Sequence, residues 1–98
     1  MCMIFYNISI IIEDSRHQQV IDWVKGYLRG TRYETKLLKM LDSPHDGSTY
    51  CVHYTAANEQ ELARFQQEVV SALQAYIGQQ HAEKAFLFDS KMQYLTID

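Results

Sequence analysis

MIFYNISIIIEDSRHQQVIDWVKGYLRG, residues 3–30, changes its hydrophobic period once, and that change decides the fold. From Met3 to Ile12, Tyr6, Ile8, Ile10 and Ile12 fall on one face and Phe5, Asn7, Ser9 and Ile11 on the other. A period of two belongs to a strand, whose successive side chains point to opposite sides. From Val20 the period lengthens. Val20, Ile21, Val24, Tyr27 and Leu28 recur at steps of three and four, the stripe of an amphipathic helix, with Trp23 at its border. Between the two, Asp14 or Ser15 supplies a cap, Gln18 completes a capping box with Ser15, and Gly30 ends the helix. The β-branched density of Ile8 to Ile12 places this first strand inside a sheet rather than at its edge.

Outward from this stretch the pattern repeats with one extra strand. Tyr33 to Leu41 reads as a second strand, and Lys36 and Lys39 mark it as an edge. Ser43-Pro44-His45-Asp46-Gly47 is a turn, with Pro44 fixing one φ and Gly47 supplying a positive one. In the third strand, Ser48 to Thr55, Tyr50, Val52 and Tyr54 alternate with Thr49, Cys51, His53 and Thr55. Asn58 and Glu61 form a second capping box for a helix that buries Leu62, Phe65, Val69, Leu73, Tyr76 and Ile77 and ends near Gly78. The last strand lies within Ala85 to Leu95, with a bulge at Asp89-Ser90. The order β-α-β-β-α-β predicts an α+β, ferredoxin-like domain over residues 1–98. Its four-stranded antiparallel sheet carries two helices on one face, and right-handed crossovers give the strand order 4-1-3-2.

Composition narrows the function. A net charge of −3 without a clustered basic face argues against nucleic acid. The apolar run Ile8 to Ile12 is too short to span a membrane, and no basic segment or cleavage site marks a signal peptide, so a cytoplasmic protein is expected. His17, His45, His53 and His81 are scattered, so neither a metal nor another cofactor is expected. Cys2 and Cys51 lie on different elements and are read as free thiols in a reducing compartment. Phosphate loops, nucleophile elbows and paired catalytic carboxylates are absent from the sequence.

Two helices cover only one side of a four-stranded sheet. Turning the more apolar strand faces toward the helices puts Tyr6, Ile8, Ile10, Tyr50, Val52, Phe86 and Phe88 in the core. The other face then carries Phe5, Asn7, Ser9, Ile11, Thr49, Cys51, His53 and Thr55. A face turned to water would show lysine and glutamate, and the two central strands show neither. The same face of a second copy is the simplest cover, giving a homodimer with roughly 800 Å² buried per partner. Between the two sheets Asn7, Ser9, Cys51 and His53 would orient a small apolar or aromatic ligand, with Phe5 and Ile11 as apolar walls. The ordinary role of a strand histidine is a hydrogen bond to a threonine or carbonyl, whereas His53 between two sheets could also move a proton near neutral pH. Cys51 has no cationic neighbour in sequence and reads as an unreactive thiol.

Several short features resemble a family of short bacterial proteins, common in Bacteroidetes-type genomes and known only as a domain of unknown function. They are Tyr6-Asn7-Ile8, Trp23, Leu37-Leu38 before Met40-Leu41, Gly47 followed by Thr49-Tyr50 and Val52-His53-Tyr54, and His81 with Glu83 and Lys84. The resemblance implies a dimeric α+β barrel, an assembly that also serves cofactor-free monooxygenases, muconolactone-type isomerases and haem-degrading enzymes. It assigns no catalytic residue. Three functions follow as expectations: a ligand-binding homodimer, a cofactor-independent monooxygenase or isomerase with His53 as general base, and a regulatory effector-binding module.

Overall fold

The computed structural model describes residues 3–97. Cys2 lies outside them. A central strand β1 (Ile4–Ile12) pairs antiparallel with β3 (Ser48–Ala56) on one side and β4 (Ala85–Gln93) on the other. A short edge strand, β2 (Lys36–Lys39), completes the order β2-β3-β1-β4. Helix α1 (His17–Arg29) joins β1 to β2, and α2, residues 59–80, joins β3 to β4. This is the predicted topology.

Both helical stripes face the sheet as their periodicity requires. Val20, Ile21, Val24 and Leu28 of α1, and Leu62, Phe65, Val69, Leu73 and Ile77 of α2, are buried against Ile4 to Ile12, Val52, Tyr54, Ala56 and Ala85. Each large side chain fully withdrawn from water stabilises the fold by roughly 1.5–3 kcal/mol. On the outer seam Trp23 stacks in parallel on Tyr76 at 4.0 Å and on Tyr27 at 5.2 Å, tying the helices together. Helix α2 widens to a π turn over Gln66–Val70 before regaining α geometry at Ser71–Gln80, two residues beyond Gly78.

The local signals divide. Asn58 caps α2 as expected, its Oδ1 accepting from the Glu61 N–H at 2.8 Å, while the Glu61 carboxylate takes the Ala57 N–H at 3.3 Å. The box expected at α1 does not form. Asp14–Arg16 closes a tight turn, Ser15 Oγ donates to Glu13, and the Gln18 amide donates along the helix to Asp22. Gly47 does hold a positive φ, +84°, and a Cβ there would sit 2.3 Å from the Ile12 carbonyl oxygen, so only glycine lets this loop pass the end of β1. Gly30 ends α1 with an ordinary negative φ.

Strand β4 differs from expectation in two ways. It runs without a bulge, from Ile4 opposite Gln93 to Ile12 opposite Ala85. Its faces are also the reverse of those expected. Leu87 lies opposite Ile10 on the helix side, and Phe86 and Phe88 lie opposite Ile11 and Ser9 on the open side, 51% and 60% exposed. A register set by β1 puts small Ala85 beneath the helices and leaves Asp89 and Lys91 at the uncovered end of that face. There Asp89 accepts the Tyr6 hydroxyl and Lys91 pairs with Glu59 at 3.2 Å. One residue of slip exchanges every side chain between faces. Tyr50, also expected in the core, is only half-buried.

Candidate functional site

The sheet face away from the helices is built in rows across the strands. Directly paired residues in neighbouring strands point to the same side, so the register defines each row. Met92, Phe5 and Thr55 form the first; Ser90, Asn7, His53 and Lys36 the second; Phe88, Ser9, Cys51 and Leu38 the third. Phe86, Ile11 and Thr49 follow, with Met40 bonded to Thr49 through its N–H at 2.8 Å. All four residues expected to orient a ligand, Asn7, Ser9, Cys51 and His53, therefore meet in one square at the middle of the face. Apolar side chains border it, and Leu38, Met40 and Met92 are 43%, 39% and 48% exposed. The only formal charge among these rows is Lys36 at the sheet edge.

Within the square Asn7 Nδ2 donates to Ser9 Oγ at 3.0 Å, and Ser9 Oγ lies 3.7 Å from Cys51 Sγ. Asn7 Oδ1 is buried with no hydrogen-bond partner among the described residues. Rotating the amide by half a turn would only exchange the orphan acceptor for an orphan donor. Such a group costs roughly 1–3 kcal/mol until a partner reaches it. His53 packs edge-on against Phe5, ring centroids 4.6 Å apart, and burial lowers its pKa, favouring the neutral imidazole. Among the described residues His53 forms no side-chain hydrogen bond to a threonine or carbonyl, the partner expected of it. Cys51 is half-buried and free. Among the described residues no His, Cys, Asp and Glu side chains gather as a metal-holding group.

Past Phe5 and His53 the face opens into a cleft of about 620 Å³ at the end of the sheet. Its basic residues come from three elements: Arg32 from the α1–β2 connection, Lys36 from β2 and Arg64 from α2. Sequence reasoning missed this site. The run Arg29, Arg32, Lys36 and Lys39 reads as edge protection, and only the fold brings Arg64 beside it.

A four-stranded antiparallel sheet carrying both helices on one side makes this a ferredoxin-like protein. Residues 3–95 match the model of the domain of unknown function DUF4286, and the chain belongs to that family. No curated protein matches the sequence. Among solved structures, the chain is similar to a dimeric ferredoxin-like protein from an uncultured marine organism (TM-score 0.64, 10% identity, 99% of this chain and 98% of that one). It is also similar to a dabb family protein with a ferredoxin-like fold from Mesorhizobium loti (TM-score 0.62, 10% identity, 100% of each chain). A third similar structure is SnoaB, a cofactor-independent oxygenase from Streptomyces nogalater (TM-score 0.60, 6% identity, 99% and 97%). At such identities the likeness is one of fold. No helix among the described residues is long and apolar enough to cross a membrane.

Proposed function

We propose that this chain is a cytoplasmic homodimer that joins two copies through their open sheet faces and holds a small apolar or aromatic molecule between them. The observation that carries the reading is the face itself: exposed Phe86, Phe88, Met92, Leu38 and Met40 surround a nearly uncharged polar square. Contiguous apolar surface of this extent is rarely left to water. The chain exposes 6529 Å², against about 5,800 Å² for a compact monomer of its 11.5 kDa mass. The uncovered sheet and the exposed residues 94–97 contribute to it. Strands about 4.8 Å apart with about 3.3 Å per residue give the face a projected area of roughly 500–600 Å². With protruding Phe and Met side chains it approaches the roughly 800 Å² per partner of a stable interface. A ligand or partner group donating to Asn7 Oδ1 would also relieve the buried acceptor. The free thiol of Cys51 suits a reducing cytoplasm.

Sedimentation at micromolar concentration tests the pairing. The chain is expected to run at twice 11.5 kDa. Phe88→Glu, which places a charge on the exposed face without touching the helix-side core, is expected to run as a monomer with unchanged circular dichroism. A wild-type chain sedimenting at its monomer mass overturns the reading.

A second reading rests on His53. Its neutral imidazole has no hydrogen-bond partner among the described residues and stands beside Asn7 and Phe5, a placement suited to a general base acting on an aromatic substrate, and SnoaB shares the fold. It requires that turnover of such a substrate disappear in His53→Ala while sedimentation is unchanged; turnover surviving that substitution excludes it.

A further inference from the structure

The two edges of the sheet are finished differently. β2 is blunted as edges usually are: it is four residues long and carries Lys36 and Lys39. β4 is not. It runs for nine residues, Ala85–Gln93, without a bulge or a proline, and no strand lies on its outer side among the described residues. Phe86, Phe88, Met92 and Tyr94 are exposed along it. A long, flat, apolar edge is a template for another strand. The backbone groups are turned accordingly. The Tyr94 N–H donates to the Met3 carbonyl at 3.1 Å, so Tyr94 directs its peptide groups toward β1. Successive residues of an antiparallel strand present these groups to opposite sides, so Leu87, Asp89 and Lys91 direct theirs outward.

The side chains choose both the occupant and the register. A two-fold axis normal to the sheet sets a second β4 antiparallel to the first and pairs residues equidistant from the one on the axis. Centred on Asp89 or on Lys91, the axis opposes like charges. Centred on Phe88 it sets Asp89 against Leu87, and on Met92 it sets Asp89 against Leu95. Centred on Ser90, it sets Asp89 against the partner's Lys91, and the symmetry repeats that pair. On the open side Phe88 then meets the partner's Met92, and Phe86 the partner's Tyr94. These fall at non-hydrogen-bonded positions, where cross-strand side chains approach most closely, and aromatic–aromatic and sulfur–aromatic contacts are favourable there. The charged groups keep capacity for such a pair. Asp89 Oδ2 accepts the Tyr6 hydroxyl, which leaves Oδ1. Lys91 Nζ donates to the two Glu59 oxygens at 3.2 and 3.4 Å, which leaves a third N–H on an exposed ammonium.

We propose that the outer edge of β4 docks the same edge of a second copy about an axis at Ser90, merging two four-stranded sheets into one. Both open faces stay uncovered on the same side of the merged sheet, so this contact does not rest on face-to-face pairing. Where both contacts form, four copies assemble. A single strand pair buries less than a standard interface, so the edge contact follows at higher concentration than the face contact.

Sedimentation of the full chain over a range of concentrations tests the contact. The mass is expected to double between micromolar and submillimolar protein. It does so from whichever state the open face sets, dimer or monomer, so failure of the face-to-face reading does not hide the result. Asp89→Lys and Lys91→Asp each oppose like charges at two places, and each should need roughly tenfold more protein for the doubling. Mixed in equal amounts, the two variants restore opposite charges at both places and should double in mass as the unmodified chain does. Asp89 and Lys91 stand on the helix side, so the mass at micromolar concentration should not change. The proposal is overturned by an unmodified chain whose mass does not rise, by a variant that doubles as the unmodified chain does, or by a mixture that behaves like its components. If a variant fails to fold, amide hydrogen exchange in the unmodified chain decides. Exchange at Leu87, Asp89 and Lys91 should slow as concentration rises, while Phe88 and Ser90, already bonded to β1, stay unchanged. Exchange that is indifferent to concentration, or that slows without this alternation, overturns the proposal.

Discussion

His81 sits 4% exposed in a relay of hydrogen bonds between the two helices. Arg16 Nη1 donates to its Nδ1 at 3.3 Å, which leaves Nε2 protonated and 2.9 Å from the Tyr76 hydroxyl; that hydroxyl donates in turn to the Gln19 carbonyl at 3.4 Å. The relay works only with a neutral imidazole. Burial, with the charge of Arg16 adding to it, holds the His81 pKa below its ordinary 6.5. The sign follows from proton counts. Below pH 6.5 the unfolded chain protonates His81 before the folded one does, so unfolding takes up a proton and acid favours it. The stability that His81 supplies is therefore intact above pH 6.5 and is lost as the pH falls through the folded-state value. Urea denaturation between pH 7.5 and 5 is expected to show this decline, and His81→Gln to make it shallower; an identical slope in the variant would refute the assignment. Tyr6 is perturbed in the alkaline direction, burial and its bond to Asp89 pushing its phenol up to about 12.

At the scale of elements, the register of β4 has a direct mutational signature. Leu87 packs partly against the core, and Phe88 stands on the open face. Leu87→Ala should cost on the order of 1–2 kcal/mol at any protein concentration. Phe88→Ala should cost little in dilute protein and progressively more as concentration drives pairing, since a mutation in an interface is felt only in the assembled state. Denaturation midpoints across a hundredfold concentration range separate the two; equal behaviour would argue against both the register and the pairing. The same strand marks the limit of what the sequence discloses. β1 alternates cleanly because one face is buried and the other is not, and most core residues of β3 and the helices are legible from period too, although Tyr50 and Tyr76, expected inside, are only partly buried. The four residues of the central square follow from that alternation, since Asn7 and Ser9 share a parity, as do Cys51 and His53. β4 defeats the same reading because its open face is the more apolar one: Phe86, Phe88 and Met92 outweigh Ala85 and Leu87, whose burial is imposed by pairing with Ile12 and Ile10. The capping signal at Ser15 fails for a related reason. Its hydroxyl and the Gln18 amide had nearer partners, and spacing along the chain does not rank competing hydrogen bonds. The cleft was illegible altogether, since Arg32 and Arg64 are brought together only by the packing of α2 over the sheet.

Taken whole, the molecule is a slab of 45 × 28 × 20 Å with its two faces finished differently. One is roofed by α1 and α2; the other is apolar at its borders, polar at its centre and nearly free of charge. The proposed pairing would close that second face and leave the cleft lined by Arg32, Lys36 and Arg64 at its margin. The roof carries its own constraint. Between Gln66 and Val70, α2 accommodates one amino acid more than a regular turn, and this lets Phe65 and Ile77 both reach the core while Tyr76 still meets Trp23. Deleting a single residue there would let the turn close to regular α geometry and leave the phase of everything downstream nearly unchanged. The Tyr76 ring would keep its indole neighbour, and Ile77 would stay on the core side. A one-residue difference in length at this point is thus taken up by the width of one turn and not by the angular phase of the rod.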